Sequence, residues 1–582
     1  MKRCPECRRD YHDDSLLYCL EDGAALLQGS VPPPADEPLT AILHETGQLS
    51  EAATRAHIHT TEKTDVSPGG AAAKFQGNSQ NLPDKRSFYA NPLAKPLAAL
   101  IGAVLILTGV FFVYKYFSIA RQIESIAVMP FVNESGNADI EYLSDGMTET
   151  LINSLSQLPN LNVQARSSVF RYKGKDADAK TIGKDLNVQA ILNGRVVSHG
   201  DDLVLYLELV DAQTGKQIWG DHYNRKQVDL VTLQSEIARD VSEKLRSKLS
   251  GADAAKVEKK STANPEAYEL YLKGRFYWNK RTPESLKQAV DHFNQAVEKD
   301  PNYALAYSGL AESYVLFPIY SISLPMDSMP KAKAAALKAN ELDDSLAETH
   351  TALGIYYSTF AWNQAAAERE FRRALELNPN YAEGHQQLAV ECLASLHRFD
   401  DAIVEARRAV DLDPLSLVIR SDYAILLRIK KSNEAIQELN RVLELDPNFW
   451  VAHFYLGVVY YGDGQFEKAI AEQRRAQAIE KEPWITALLI QSLAKAGKRK
   501  EAAELLPDLE ADYARNPIAG ASLAIAYAAL GQKDKAFTLL DGAVADRSLR
   551  PGFVAGNPIW NDLDTDPRFA DDLRRMEAAK MD

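Results

Sequence analysis

Two stretches of the chain, Ala402–Pro414 (AIVEARRAVDLDP) and Ala435–Pro447 (AIQELNRVLELDP), are one helix written twice. Apolar residues recur every three to four positions, and each stretch ends at a proline, which cannot continue a helix. Ala289–Pro301 (AVDHFNQAVEKDP) and Ala367–Pro379 (AEREFRRALELNP) have the same form. Pro379, Pro414 and Pro447 stand 35 and 33 residues apart. A helical pattern closed at a fixed interval predicts stacked helix pairs, each burying its apolar face against the next.

The period resembles that of tetratricopeptide repeats, about 34 residues. Small residues recur where paired helices cross: Ala289 and Ala296, Ala367 and Ala374, Ala402 and Ala409, Ala469 and Ala476, Ala536 and Ala543. Gly274 with Tyr277, Gly354 with Tyr357 and Gly457 with Tyr460 fill the repeat's glycine and tyrosine positions. Seven to eight units are expected over residues 263–548, with an insertion at FPIYSISLPMDSMP (317–330) and a terminal cap over 549–582. The expected fold class is multidomain, with an all-α tetratricopeptide solenoid as its largest part.

Upstream, residues 124–250 alternate strand and helix patterns. SIAVMPFV (125–132) reads as a buried strand and LNVQAR (161–166) as a second. YLSDGMTETLINSLSQL (142–158) reads as an amphipathic helix capped by Ser144 or Asp145. DAKTIGKDLN (178–187) is a short helix. Two strands then turn at His199-Gly200-Asp201, a third centres on Trp219, and a helix over residues 230–249 closes the unit. This α/β unit resembles the TolB N-terminal-like domain, on residues 125–174 and 186–219. The resemblance implies a bacterial module that contacts protein or senses a ligand rather than an active site.

Residues 28–95 are rich in Pro, Gly, Ser, Thr and Ala and read as a flexible linker. From Pro96 to Tyr114 the chain carries no charge, between Lys95 and Lys115. At about 1.5 Å per residue this stretch spans a hydrocarbon core of about 30 Å, so 96–116 is expected to be one transmembrane helix. Lys85, Arg86 and Lys95 precede it, and after Lys115 and Arg121 the next basic residue is Arg166. That bias predicts a bacterial inner-membrane protein with its N-terminus in the cytosol and its C-terminal domains periplasmic or extracytoplasmic.

Residues 1–27 hold three of the four cysteines. Cys4-Pro-Glu-Cys7 resembles a zinc-ribbon knuckle, and Cys19-Leu-Glu-Asp22-Gly23 stands where the second would be. The expected cofactor is a structural Zn²⁺ on Cys4, Cys7, Cys19 and Asp22, with His12 as the rival fourth ligand. Cys392, among apolar neighbours at helical spacing, reads as a buried structural thiol.

A net charge of −14 gives no basic footprint for nucleic acid. Phosphate-loop, kinase, nucleophile-elbow and metalloprotease signatures are absent from the sequence, so no enzymatic activity is expected. His350, His385 and His453 fall at equivalent repeat positions, too far apart to share a metal, and read as core wedges. Helix faces that would line the inside of the superhelix carry Tyr271, Trp278, Leu393, Phe454 and Tyr461. These are the candidate contacts for a protein partner, unless they pack between repeats. The expected function is a membrane-anchored protein-interaction scaffold or receptor of unknown oligomeric state. Its rival is a transmembrane or transcription-regulatory sensor whose zinc ribbon contacts an effector or nucleic acid.

Overall fold

The computed structural model describes residues 123–137, 140–158, 161–200, 202–245 and 261–581, with the residue pairs 2–3, 10–11 and 27–28. The chain divides into two compact units, residues 1–98 and 99–582. In the first, Lys2–Arg3 pairs antiparallel with both Asp10–Tyr11 and Leu27–Gln28. Cys4, Cys7, His12, Cys19 and Asp22, the linker and the 96–116 span all lie outside the described residues. No helix among the described residues is long and apolar enough to cross a membrane.

The second unit starts as a mixed α/β domain. Its elements are β1 (Ser125–Val128), β2 (Val132–Asn133), α1 (Glu141–Ser156), β3 (Asn162–Val163), α2 (Arg166–Val169) and α3 (Ala179–Asp185). There follow β4 (Ala190–His199), β5 (Asp202–Asp211), β6 (Gln217–Lys226) and α4 (Leu230–Leu245). The sheet runs β3-β1-β4-β5-β6, with β2 also on β4. β1 is parallel to β3 and β4, whereas β4, β5 and β6 form an antiparallel meander. The meander follows from alternation: Leu203, Leu205, Leu207 and Leu209 of β5 are buried, while Tyr206 and Glu208 face out. Gly194 admits Phe131, whose ring would lie 2.2 Å from a Cβ there.

Two sequence expectations are corrected here. α1 begins at Glu141 behind Ile140, with no side-chain cap, so Ser144 and Asp145 lie inside the helix and are buried. They are buried because α1 is covered on two sides, by its own sheet and by the first repeat helix. The insertion is also shorter than the sequence suggested: only Phe317–Leu324 is non-helical, and Pro325 opens the next helix.

Among the described residues eight helix pairs follow, beginning with Pro265–Trp278 on Pro283–Lys299 and ending with Gly520–Ala529 on Lys533–Ala545. Their starts are set locally. The Asn264 side chain accepts from the Glu266 and Ala267 amides ahead of Pro265, and Thr282 forms a capping box with Ser285 ahead of Pro283. The repeated alanines are 0–2 % exposed. The glycine positions admit a side chain of the facing helix: a Cβ at Gly274 or Gly309 would meet Phe293 at 2.4 and 2.6 Å, one at Gly354 would meet Phe371 at 2.6 Å, and one at Gly457 would meet Gln473 at 2.7 Å. One apolar core runs without a break from Ile126 of β1 to Val459 in the sixth pair. A second joins the last pairs to the C-terminal segment.

Candidate functional site

On the helix faces where the sequence placed a partner, the candidate side chains are packed into the protein. Tyr271, Trp278, Leu393, Phe454 and Tyr461 are all 5 % exposed or less. The reading of them as accessible contacts is therefore corrected: they are spent on packing. Tyr271 packs on Phe293 and Tyr303, with ring centroids 5.8 and 5.3 Å away. Trp278 lies under the guanidinium groups of Arg275 and Arg281, at 4.2 and 3.6 Å. Phe454 meets Trp450 and Tyr455, and Tyr461 meets Phe466. Leu393 ends a π turn, Leu388–Leu393, in the fourth pair.

The α/β domain docks on the first repeat helix. Gly146 of α1 lies against Leu272 so closely that a Cβ would be 2.8 Å from Leu272 Cδ2. One helical turn on, Glu149 is 4 % exposed. Its Oε1 accepts from Arg275 Nε at 2.7 Å and lies 2.6 Å from Arg275 Nη2. Its Oε2 accepts from the Asn279 side chain and lies 3.2 Å from Arg166 Nε. Arg275 also donates to Glu312 at 2.9 Å, within the repeats. Burial alone would lower the Arg275 pKa, but the Glu149 and Glu312 carboxylates outweigh it and hold the guanidinium firmly protonated. Burial raises the Glu312 pKa despite the opposing pull of Arg275.

The stretch after α1 ties the same domain to later repeats. Asn378 donates to Ser156 Oγ at 3.2 Å, and Asn380 to the Leu161 carbonyl at 3.1 Å. Ser167 and Ser168 both donate to the Asp413 carboxylate, and the Leu415 amide donates to Ser168 Oγ at 3.0 Å. Arg171 donates to the Leu445 carbonyl at 3.0 Å. Asp300 and Asp446 cap their own turns by accepting from Asn302 and Asn448. Asp413, at the equivalent place, serves the α/β domain instead. Burial raises its pKa, with the two serine hydroxyls acting against the shift.

The C-terminal segment packs on the third to seventh pairs. A Cβ at Gly552 would lie 2.6 Å from the Val390 carbonyl. Arg550 pairs with the buried Glu391, and Arg428 donates to the Gly556 carbonyl at 2.7 Å. Gln491 donates to the Ile559 carbonyl at 2.9 Å. Arg547 donates to the carbonyls of Phe360 and Ala579 at 2.7 and 2.8 Å.

His350, His385 and His453 are buried as expected, with a feature that periodicity did not show. Each Nδ1 meets a glutamate of the partner helix: Glu370 at 2.7 Å, Glu405 at 2.6 Å and Glu472 at 2.7 Å. Arg420 and Glu438 make the same clasp between His385 and His453. The glutamates, 18 to 20 residues downstream, were the legible signal. Cys392 is buried and free, its thiol pushed up to about 12, chiefly by burial. Among the described residues no group of three or more acidic, Cys or His side chains could hold a metal.

Comparison with known proteins matches both halves of this unit. Residues 121–251 match the model of the HilA/YgeH-like transcriptional regulator, second domain, and residues 425–483 match a tetratricopeptide repeat model. For the α/β domain, that description stands in place of the TolB-like name. The chain is 31% identical over 248 residues to a putative adenylate cyclase 3 of Rhizobium meliloti, covering 42% of each chain. It is 22% identical over 393 residues to the transcriptional regulator HilA of Salmonella typhimurium, covering 66% of this chain and 62% of HilA. It is 26% identical over 214 residues to the repeat-containing protein YpiA of Bacillus subtilis, covering 36% of this chain and 48% of YpiA. The chain thus spans less than two thirds of each of these relatives. It is a tetratricopeptide-repeat protein. Its repeats are joined to a domain that resembles the second domain of HilA/YgeH-like transcriptional regulators.

Proposed function

We propose that this chain is a regulatory sensor. Its α/β domain and repeats form one body that receives a protein partner, and its N-terminal segment passes the result to an effector or nucleic acid. The observation that carries the reading is the domain pair itself: a domain similar to one in transcriptional regulators, locked by Glu149 and Arg275 to an array built for protein recognition. The similarity to a putative adenylate cyclase spans under half of that relative, and the proposed role is regulatory. With a net charge of −14, nucleic acid is the less favoured output.

Two features of residues 1–116 belong to the same proposal. Residues 96–116 span the bacterial inner membrane with the N-terminus cytosolic, and Cys4, Cys7 and Cys19, with Asp22 or His12, bind structural zinc. Crosslinking of the full chain in membranes, followed by mass identification of captured proteins, tests the role. A regulator should capture components of a signalling or transcription apparatus. Capture confined to envelope-assembly proteins would favour a scaffold without an output. One zinc per chain in the purified reduced protein, lost in Cys7→Ser, is the expected metal content, and a ratio near zero would remove the ribbon. Protease treatment of intact cells should spare the N-terminus, and its digestion there would reverse the orientation.

A further inference from the structure

Arg275 and Asn279, four residues apart on the first repeat helix, form a receptor for a carboxylate. Three features show that it is built. Arg275 is 7 % exposed, and its Nη1 is already held by Glu312 at 2.9 Å. That pair lies wholly within the repeats, so the guanidinium is oriented without help from the α/β domain. Its remaining Nε–Nη2 edge and the Asn279 amide converge on one carboxylate, that of Glu149. Trp278 and Leu272 supply apolar wall beside it: Trp278 is stacked under Arg275 and Arg281, and Leu272 lies against Gly146.

The occupant comes from a different domain, more than a hundred residues away in sequence. It has a simple recognition pattern, Gly146-x-x-Glu149 on one helix face. The glycine is required because a Cβ would press into Leu272, and the glutamate three residues on reaches the receptor. The carboxylate is also paired with Arg166, 3.2 Å from Glu149 Oε2, in the strap of residues 156–171, whose other groups dock on later repeats through hydroxyl, amide and carbonyl groups.

We propose that this receptor is a partner-binding surface held shut in cis by α1. The partner it fits is a helix carrying a glycine and, three residues later, a glutamate or aspartate. Such a helix displaces the α/β domain from the first repeat by offering Arg275 and Asn279 an equivalent carboxylate. The inference rests on the reading that the repeats receive a protein partner, and it names the chemistry of that partner and the contact that regulates access.

The test uses the full chain and a fluorescein-labelled peptide of sequence EYLSDGMTETLINSLS, copied from residues 141–156. Glu149→Gln in the full chain removes the occupant's charge while keeping its shape. The variant is expected to bind the peptide about tenfold more tightly than the wild-type chain, or better. It should bind a peptide with glutamine at the position of Glu149 no better than the wild-type chain does. Hydrogen exchange, read by mass spectrometry, should rise in 141–156 of the variant and stay unchanged in 265–299. Equal peptide binding by both chains, or by neither, would overturn the proposal. So would faster exchange in 265–299, because the contact would then be part of the repeat's own fold. If the wild-type chain and the Glu149→Gln variant capture a partner equally well while the peptide fails to bind, the regulatory reading stands and this inference falls.

Discussion

Gly146 of the α/β domain and Leu272 of the first repeat helix meet so closely that there is no room for a methyl group between them. This contact brings α1 near enough for Glu149 to reach Arg275, and it makes the two domains one apolar core.

Gly146→Ala should therefore cost about 1–3 kcal/mol of overpacking, because the new Cβ meets Leu272 Cδ2 at 2.8 Å and Cβ at 3.1 Å. Leu272→Ala removes the clash and should recover part of that loss. A double-mutant cycle by urea unfolding is expected to show a coupling of about 0.5 kcal/mol or more. Additive costs would mean that the two residues do not press on each other.

Arg275→Ala leaves Glu312 buried without its cation and Glu149 with Arg166 alone. Breaking a buried pair in this way costs about 3–5 kcal/mol. The same change in a Glu149→Gln, Glu312→Gln background should cost clearly less, since no carboxylate is then stranded. Thermal denaturation of the four proteins measures the difference.

Stability should fall as pH rises through the neutral range, with Glu348 as one source. Burial first, and then the Glu312 carboxylate, push the Glu348 carboxyl up to about 7 from its ordinary 4.5. Between those values the folded chain holds a proton that the unfolded chain has released, so raising the pH favours unfolding. The contribution is fully present below about 4.5 and lost above about 7. Glu348→Gln should flatten the unfolding midpoint against pH in that window, and an unchanged slope would assign it elsewhere.

His385 joins two helices of one repeat: Nδ1 meets Glu405 at 2.6 Å and Nε2 lies 3.1 Å from the Pro379 carbonyl. His385→Phe keeps the bulk of a wedge but strands both polar partners, and should cost about 1–3 kcal/mol. Were these histidines apolar wedges only, the phenylalanine would be neutral in urea unfolding.

Arg547 closes the array, reaching the Phe360 and Ala579 carbonyls while lying 4.3 Å from the Trp362 ring. Arg547→Ala should lose about 1.5–3 kcal/mol for each charged hydrogen bond removed. Limited proteolysis should then cut within 547–581 before any repeat, whereas cleavage elsewhere first would show that the tail is held by its apolar contacts alone.

Periodicity alone exposed the repeats, because the pairs reuse local devices: small residues at the crossing, a glycine against a facing side chain, and in four of them a proline to stop. Strand alternation exposed β4 and β5 for the same reason. The inner-face positions Tyr271, Trp278, Leu393, Phe454 and Tyr461 were also legible, as was the burial of Cys392. Their availability was not. The five side chains pack on repeat neighbours, and the docking of the flanking segments depends on contacts that no period encodes: Glu149 on Arg275, Ser168 on Asp413, Arg428 on the Gly556 carbonyl. These join residues 126, 245 and 128 positions apart. Local patterns along the chain were enough to define a recognition groove built from repeated helices. That the five side chains are packed, and that the α/β domain docks on the first repeat helix, emerged only in three dimensions, because satisfying Arg275 required a carboxylate that folding alone brings within reach.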